Sequence, residues 1–149
     1  MKDYFLIGII LLICFLSIAI YGTYRCKNPD FKDPLNKELI KNLENYTDGW
    51  GILHLIFYSF LTYLYPKRWK IIWMVGVLWE GLETIFKHRP FYLSECNAKS
   101  EKEWWYGRYE DIIMNSIGMM IGYFLKDYKV TKYYIGTYIG TIILFFTTK

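Results

Sequence analysis

The chain has 149 residues, 54% of them hydrophobic and 21% aromatic, with a formal net charge of +4. That length suits one domain, and so apolar a composition excludes an ordinary soluble domain of this size, which makes an integral membrane protein the first class to consider. The basic residues are spread over short connections and form no patch on one polar domain, so the charge is no nucleic-acid footprint and no nucleic-acid partner is expected.

In chain order, the first element is residues 4–22, YFLIGIILLICFLSIAIYG, which carry no charged side chain. At about 1.5 Å rise per residue, such a helix covers a hydrocarbon core of about 30 Å. The alternative is a cleaved signal peptide, but the apolar region of those runs about 7–15 residues and ends at an A-x-A-like site that does not follow here. A retained anchor is therefore expected. Four further spans are read at 50–65, 71–86, 112–125 and 133–147. Several fall short of the usual length of about 20 residues. Tyr63, Tyr65, Lys67, Trp69, Tyr133 and Tyr134 bound them, and such residues sit or snorkel at headgroup level. The expected fold is all-α, a polytopic integral membrane helical bundle of about five transmembrane helices, forming one domain over 1–149 with its core at 48–125. Buried core helices of a soluble bundle are the bland alternative.

Basic residues set an orientation. Lys2, then Lys67, Arg68 and Lys70, then Lys126, Lys129 and Lys132 flank the spans, opposed only by Asp3 and Asp127. These short segments are expected on the cytoplasmic side, with the N-terminus. The connections at 23–49 and 87–111 then share the opposite side. Cys26 and Cys96 lie there, and a disulfide between them stays open as a question of compartment and of a Cα separation near 4.4–6.8 Å. Cys14 is expected to be inert packing. Asn45-Tyr46-Thr47 is a glycosylation sequon, expected to stay unmodified because it abuts the second span.

Polar residues recur along single helix faces. Glu80 and Glu83 share a face with Gly76 and Lys87. The second span aligns Gly51, His54, Tyr58 and Thr62, with Asp48 before them; the fourth aligns Asp111, Asn115, Gly118 and Gly122. With the deduced topology, His54, Glu80, Glu83, Asp111 and Asn115 occupy similar depth and can converge. An ionised group at a helix centre costs about 2.5–3.5 kcal/mol on insertion scales, so such acids must be paired, protonated or bound to a cation. Local pairing is the bland reading: Glu83 with Lys87 or Arg89, Asp111 with Arg108. Glu80 has no local cation. Carboxylates with an amide oxygen are the ligand set of Ca²⁺ or Mg²⁺, and a nearby His can act as general base. A dedicated zinc site lacks its usual ligands, since His88 is the one other histidine and no CxxC occurs. Gly118 and Gly122 read as a small-xxx-small packing device.

Taken in order, His54, Trp79-Glu80-Gly81-Leu82-Glu83, His88-Arg89-Pro90, Glu95-Cys96, Trp104-Trp105, Asp111 and Asn115-Ser116-Ile117-Gly118, with Gly122, resemble the core of the eukaryotic base-exchange phosphatidylserine synthases. The likeness covers about residues 48–125. It implies a calcium-dependent integral membrane enzyme of the endoplasmic reticulum, its site facing the lumen, that exchanges the choline or ethanolamine of a phospholipid for L-serine without a nucleotide. Carried onto this chain, Glu80, Glu83, Glu95 and Asp111 would hold Ca²⁺, for which Mg²⁺ or Mn²⁺ could substitute. His54 would take the serine hydroxyl proton and Asn115 would orient a carboxylate or water. Asp48, Tyr58, Arg108 and Glu110 would contact substrate, and a homo-oligomer is compatible. Departures bear on the exact substrate. Residues 97–103 separate Glu95-Cys96 from the Trp pair, Tyr106 stands where the family has an acid, and Asp111 is one residue nearer Asn115, so that Glu110 is the spacing match. The chain is also shorter than family members.

The pattern Arg108-x-x-Asp111-x-x-x-Asn115-x-x-Gly118, after a His at one span start and an acid in the next, also resembles VanZ-like membrane proteins. That likeness implies recognition of a lipid or lipopeptide without turnover. A family of uncharacterised bacterial membrane proteins resembles the run from His54 to Trp69 together with Trp79-Glu80-x-x-Glu83, Tyr106-Gly107 and Asp111-x-x-x-Asn115-Ser116. A channel or transporter ranks last, because the cytoplasmic halves of the spans offer little beyond Ser59 and Thr62.

Overall fold

A computed structural model of the chain describes residues 2–28, 31–37, 40, 47–86 and 107–128. Every regular element among them is helical, as the all-α expectation requires: α1 (Lys2–Lys27), α2 (Gly49–Leu64), α3 (Trp69–Phe86) and α4 (Tyr109–Leu125), with short 3-10 turns at Pro34–Asn36 and Pro66–Arg68. The fifth expected span at 133–147 lies outside the described residues, as do the sequon's Asn45 and Tyr46, Cys96 and the side chain of Cys26. Cys14 is a free, half-buried thiol in α1. Among the described helices only α1, over Lys2–Arg25, is both long and apolar enough to cross a membrane, while Gly49–Leu64 is apolar but shorter.

Local chemistry explains the helix ends. The Asp48 carboxylate caps α2 by accepting the Gly51 amide at 2.7 Å. The same helix stops before Pro66, whose ring bars an α conformation at Tyr65 and which has no N–H to donate. The chain turns through Pro66–Arg68 and re-enters as α3.

Helices α2 and α4 run parallel at very close range. A Cβ on Gly118 would lie 2.2 Å from the Leu55 carbonyl oxygen, and one on Gly122 would lie 2.1 Å from that of Ser59. Both glycine positions and both carbonyls are four residues apart, so one glycine face rides along one ridge of α2. Antiparallel to both lies α3, where Tyr58 packs on Gly76 and the Trp73 indole donates to Ser116 Oγ at 3.3 Å. Ile7, Tyr58, Leu61, Ile72 and Met119 form the buried apolar centre. The α1 helix lies against it through Ile7 and through Phe15, edge-on to Trp79 with centroids 6.1 Å apart.

The two ends of the bundle differ. At one, Arg68 bonds Asp3 at 3.3 Å and lies over the Tyr4 ring, and the Tyr63 hydroxyl donates to the Tyr128 carbonyl. This end carries the exposed Lys2, Lys67 and Lys70. At the other, buried Asp33 accepts from the Tyr21 hydroxyl at 2.5 Å, Arg25 Nη1 at 2.6 Å, the Leu35 amide at 2.9 Å and Trp50 Nε1 at 3.3 Å. Asp33 thereby ties the end of α1 to the first turn of α2. Between these ends the outer faces are apolar: Ile20 is 71% exposed, Ile85 73% and Phe124 70%. Acids and amides lie inside while hydrocarbon lies outside.

Candidate functional site

Three helices deliver polar side chains to one buried place near the Asp48 end of α2. Their burial is nearly complete: Glu80 is 3% exposed, Asp111 3% and Asn115 2%. From α2 comes His54, whose Nδ1 lies 2.9 Å from Asn115 Oδ1 of α4 and 3.4 Å from Glu80 Oε1 of α3. His54, Glu80 and Asp111 each offer one ligand atom, all within 4.8 Å of one another. The i, i+4 spacing of Asp111 and Asn115 puts both on the face of α4 that its glycines press against α2.

Arg108, the residue that precedes the first turn of α4, organises the acids. Its Nε donates to Asp111 Oδ2 at 3.0 Å and its Nη1 to Asp48 Oδ2 at 3.0 Å, while its backbone amide donates to Glu80 Oε2 at 3.3 Å. Burial alone would lower the guanidinium pKa, but the charge of Asp111 and the bond and charge of Asp48 outweigh it and hold the group firmly protonated. The local Asp111–Arg108 pair expected from the sequence is present. It is half of a bridge, because the same guanidinium reaches across to the cap of α2.

The other sequence-predicted residues divide. Glu83 is half-buried on the same face of α3 but hydrogen-bonds Trp79 and stands outside the three-residue group. Tyr58 is buried one turn below His54, stacked at 6.4 Å between centroids, with its ring against Gly76. Glu110 is buried in the first turn of α4 and is not among the three converging groups. Glu95, Lys87 and Arg89 lie outside the described residues.

Two contributors were given no role in the site from the sequence, Gly107 entering only as part of a motif and Asp33 not at all. Gly107 lets the start of α4 touch α3, since a Cβ there would sit 2.0 Å from the Glu80 carbonyl oxygen. This closeness brings the Arg108 amide to Glu80, and the one sequence cue is a glycine directly before the arginine. Asp33 supports the entry of α2, and its cue is the Asp-Pro pair that begins a capped 3-10 turn.

The donor set suits a divalent cation. Glu80 Oε1 and Asn115 Nδ2 are buried without a hydrogen-bond partner among the described residues. Leaving such an atom unsatisfied costs about 1–3 kcal/mol, more for a charged group. Among the described residues, Asp48 and Asp111 pair with the Arg108 guanidinium and Glu80 accepts only the Arg108 backbone amide, so an ion beside Glu80 and His54 would answer the open oxygen. Comparison with protein-family models, with curated proteins and with solved structures finds no match for this chain.

Proposed function

We propose that this chain is an integral membrane enzyme that exchanges phospholipid head groups, replacing choline or ethanolamine by L-serine with the help of a divalent cation. The observation that carries this reading is the meeting of His54, Glu80 and Asp111, from three helices, with ligand atoms within 4.8 Å of one another inside a bundle whose outside is apolar. Buried acids of this kind are expensive in a bilayer and mark functional sites there. The apolar exterior and the lysines gathered at one end favour a polytopic bundle with the N-terminus cytoplasmic. The site would then face the lumen of the endoplasmic reticulum or an equivalent compartment. Toward the Arg68 end of the bundle, away from the cluster, a cavity of about 420 Å³ along α3 and α4, lined by Trp69, Trp73, Met119, Met120 and Phe124 among others, offers hydrocarbon surface suited to a lipid chain.

In this reading Glu80 and Asp111 would hold the cation beside His54, with Glu83 and Glu95 as the further acids that the resemblance implies. When bound, the ion neutralises phosphodiester charge, and calcium is the ion the resemblance implies. Asp48 and Asp111 aim the Arg108 guanidinium into the site, where it can pair with a phosphate oxygen. Asn115 orients the His54 ring through Nδ1. An imidazole held this way can accept the serine hydroxyl proton as the new P–O bond forms, then return it to the departing amino alcohol as the old P–O bond breaks.

The test is direct. Purified protein in liposomes of phosphatidylcholine or phosphatidylethanolamine, given labelled serine and a divalent salt, should form labelled phosphatidylserine, and chelator should stop it. Absence of product from folded protein that binds a divalent ion refutes the exchange reaction. That result would favour the VanZ-like reading, a membrane protein that recognises a lipid without turning it over.

A further inference from the structure

We infer that the cleft between α3 and α4, at the Arg68 end of the bundle, is a binding site for an anionic phospholipid, separate from the buried acid cluster. Its volume of about 420 Å³ falls in the range of roughly 300–1,000 Å³ typical of ligand pockets. Trp69 and Trp73, one turn apart on α3, form one wall, and Met120 and Phe124, one turn apart on α4, form the other, with Thr62 of α2 at the floor. The cleft exists because α4 gives its glycine face to α2 and turns large side chains toward α3. Its walls are open to the exterior, Met120 being 59% exposed and Phe124 70% exposed, so an acyl chain of the bilayer can enter from the side.

Charge decides the head group. Lys70 Nζ lies 5.7 Å from the centroid of the Trp69 ring and Lys126 Nζ 3.8 Å from that of Tyr123, and both rings line the cleft. An aromatic face holds an ammonium in place without neutralising it. Among the described residues neither lysine forms an ion pair, while Asp3 at this end is held by Arg68. Residues 129–149 add Lys129, Lys132 and Lys149 and no acid, so the C-terminal segment of this chain cannot supply the missing negative charge. A phospholipid with a net negative head group supplies it while its acyl chain fills the apolar cleft. Basic side chains at a membrane surface attract such lipids, each by a factor of about five. In the topology proposed above, this lipid belongs to the cytoplasmic leaflet, opposite the cluster of His54, Glu80 and Asp111.

The test uses the full chain in detergent, without serine or divalent salt so that head-group exchange plays no part. It is titrated with phosphatidylglycerol and, separately, with phosphatidylcholine, and bound lipid is counted by native mass spectrometry. One phosphatidylglycerol should bind per chain at least about tenfold more tightly than phosphatidylcholine, and Lys70→Gln with Lys126→Gln should remove most of that preference. Lys2→Gln with Lys67→Gln, at the same end but outside the cleft, should leave it within about twofold. A photo-crosslinking benzophenone side chain at Phe124 should attach to phosphatidylglycerol. Equal binding of the two lipids, or an equal loss from both lysine pairs, overturns the inference. So does attachment of the benzophenone to residues 133–147 in place of lipid, which would show the protein covering its own cleft. None of these readouts depends on turnover, so the head-group exchange reading stands or falls separately.

Discussion

Substituting Gly107 by Ala tests whether close contact between α3 and α4 builds the site. The new methyl carbon would stand 2.0 Å from the Glu80 carbonyl oxygen and 2.5 Å from Thr84 Oγ1. Real contacts of this kind need more than 3 Å, so the start of α4 must retreat by about 1 Å, and the atom it meets is backbone that cannot swing aside. The Arg108 amide already sits at 3.3 Å from Glu80 Oε2, and a retreat of that size breaks the bond. Overpacking costs about 1–3 kcal/mol and the lost hydrogen bond about 1 kcal/mol more, so stability should fall by about 2–4 kcal/mol. The larger effect is expected on function, because Arg108 and Asp111 move with the start of α4 while His54 stays on α2. Thermal melting in detergent reads the first effect, and divalent-ion affinity together with serine incorporation reads the second. A Gly107→Ala protein with unchanged melting and unchanged ion affinity would refute the claim that this contact positions the cluster.

Three other outcomes follow from the same structure. Gly122→Val should separate α2 from α4, since even a Cβ there lies 2.1 Å from the Ser59 carbonyl, and the melting temperature should drop by an amount equivalent to at least about 1–3 kcal/mol. Glu80→Gln keeps the shape but removes the charge that faces His54, so serine incorporation should vanish and ion affinity should fall about 10-fold or more while membrane insertion and melting stay near those of the parent. Asp33→Ala removes the buried carboxylate that Arg25, Tyr21 and Trp50 share, and breaking such a pair costs about 3–5 kcal/mol, which a chemical-denaturation series in detergent would measure. An unchanged midpoint in that series would show that the end of α1 is not held through Asp33.

The helices themselves were legible in the letters, with errors that have one cause. Residues 50–65 and 71–86 match Gly49–Leu64 and Trp69–Phe86 closely, because apolar runs and Pro66 mark those ends. The span read at 112–125 begins instead at Tyr109, and α1 continues from 22 to Lys27. Hydropathy marks where a helix is oily, whereas a helix ends where its backbone hydrogen bonds end, and a polar first turn such as Tyr109-Glu110-Asp111 is helical without being oily. Periodicity also put His54, Glu80, Asp111 and Asn115 on the inward faces of their helices, because spacing of three and four residues defines a face whatever surrounds it.

Periodicity says nothing of how two such faces meet. Glu80 and Glu83 share one face, yet only Glu80 reaches His54, while Glu83 bonds Trp79 within its own helix. Arg108 looked like a local partner of Asp111, yet it also spans to Asp48, which lies 60 positions away along the chain. These outcomes depend on the rotation and depth of each helix, set by contacts such as Gly118 on Leu55, Gly122 on Ser59 and Gly107 on Glu80. Local pattern determined that polar groups would face inward. Close packing at the small residues decided which of them would touch, because a shift of about 1.5 Å along a helix axis exchanges one residue for the next.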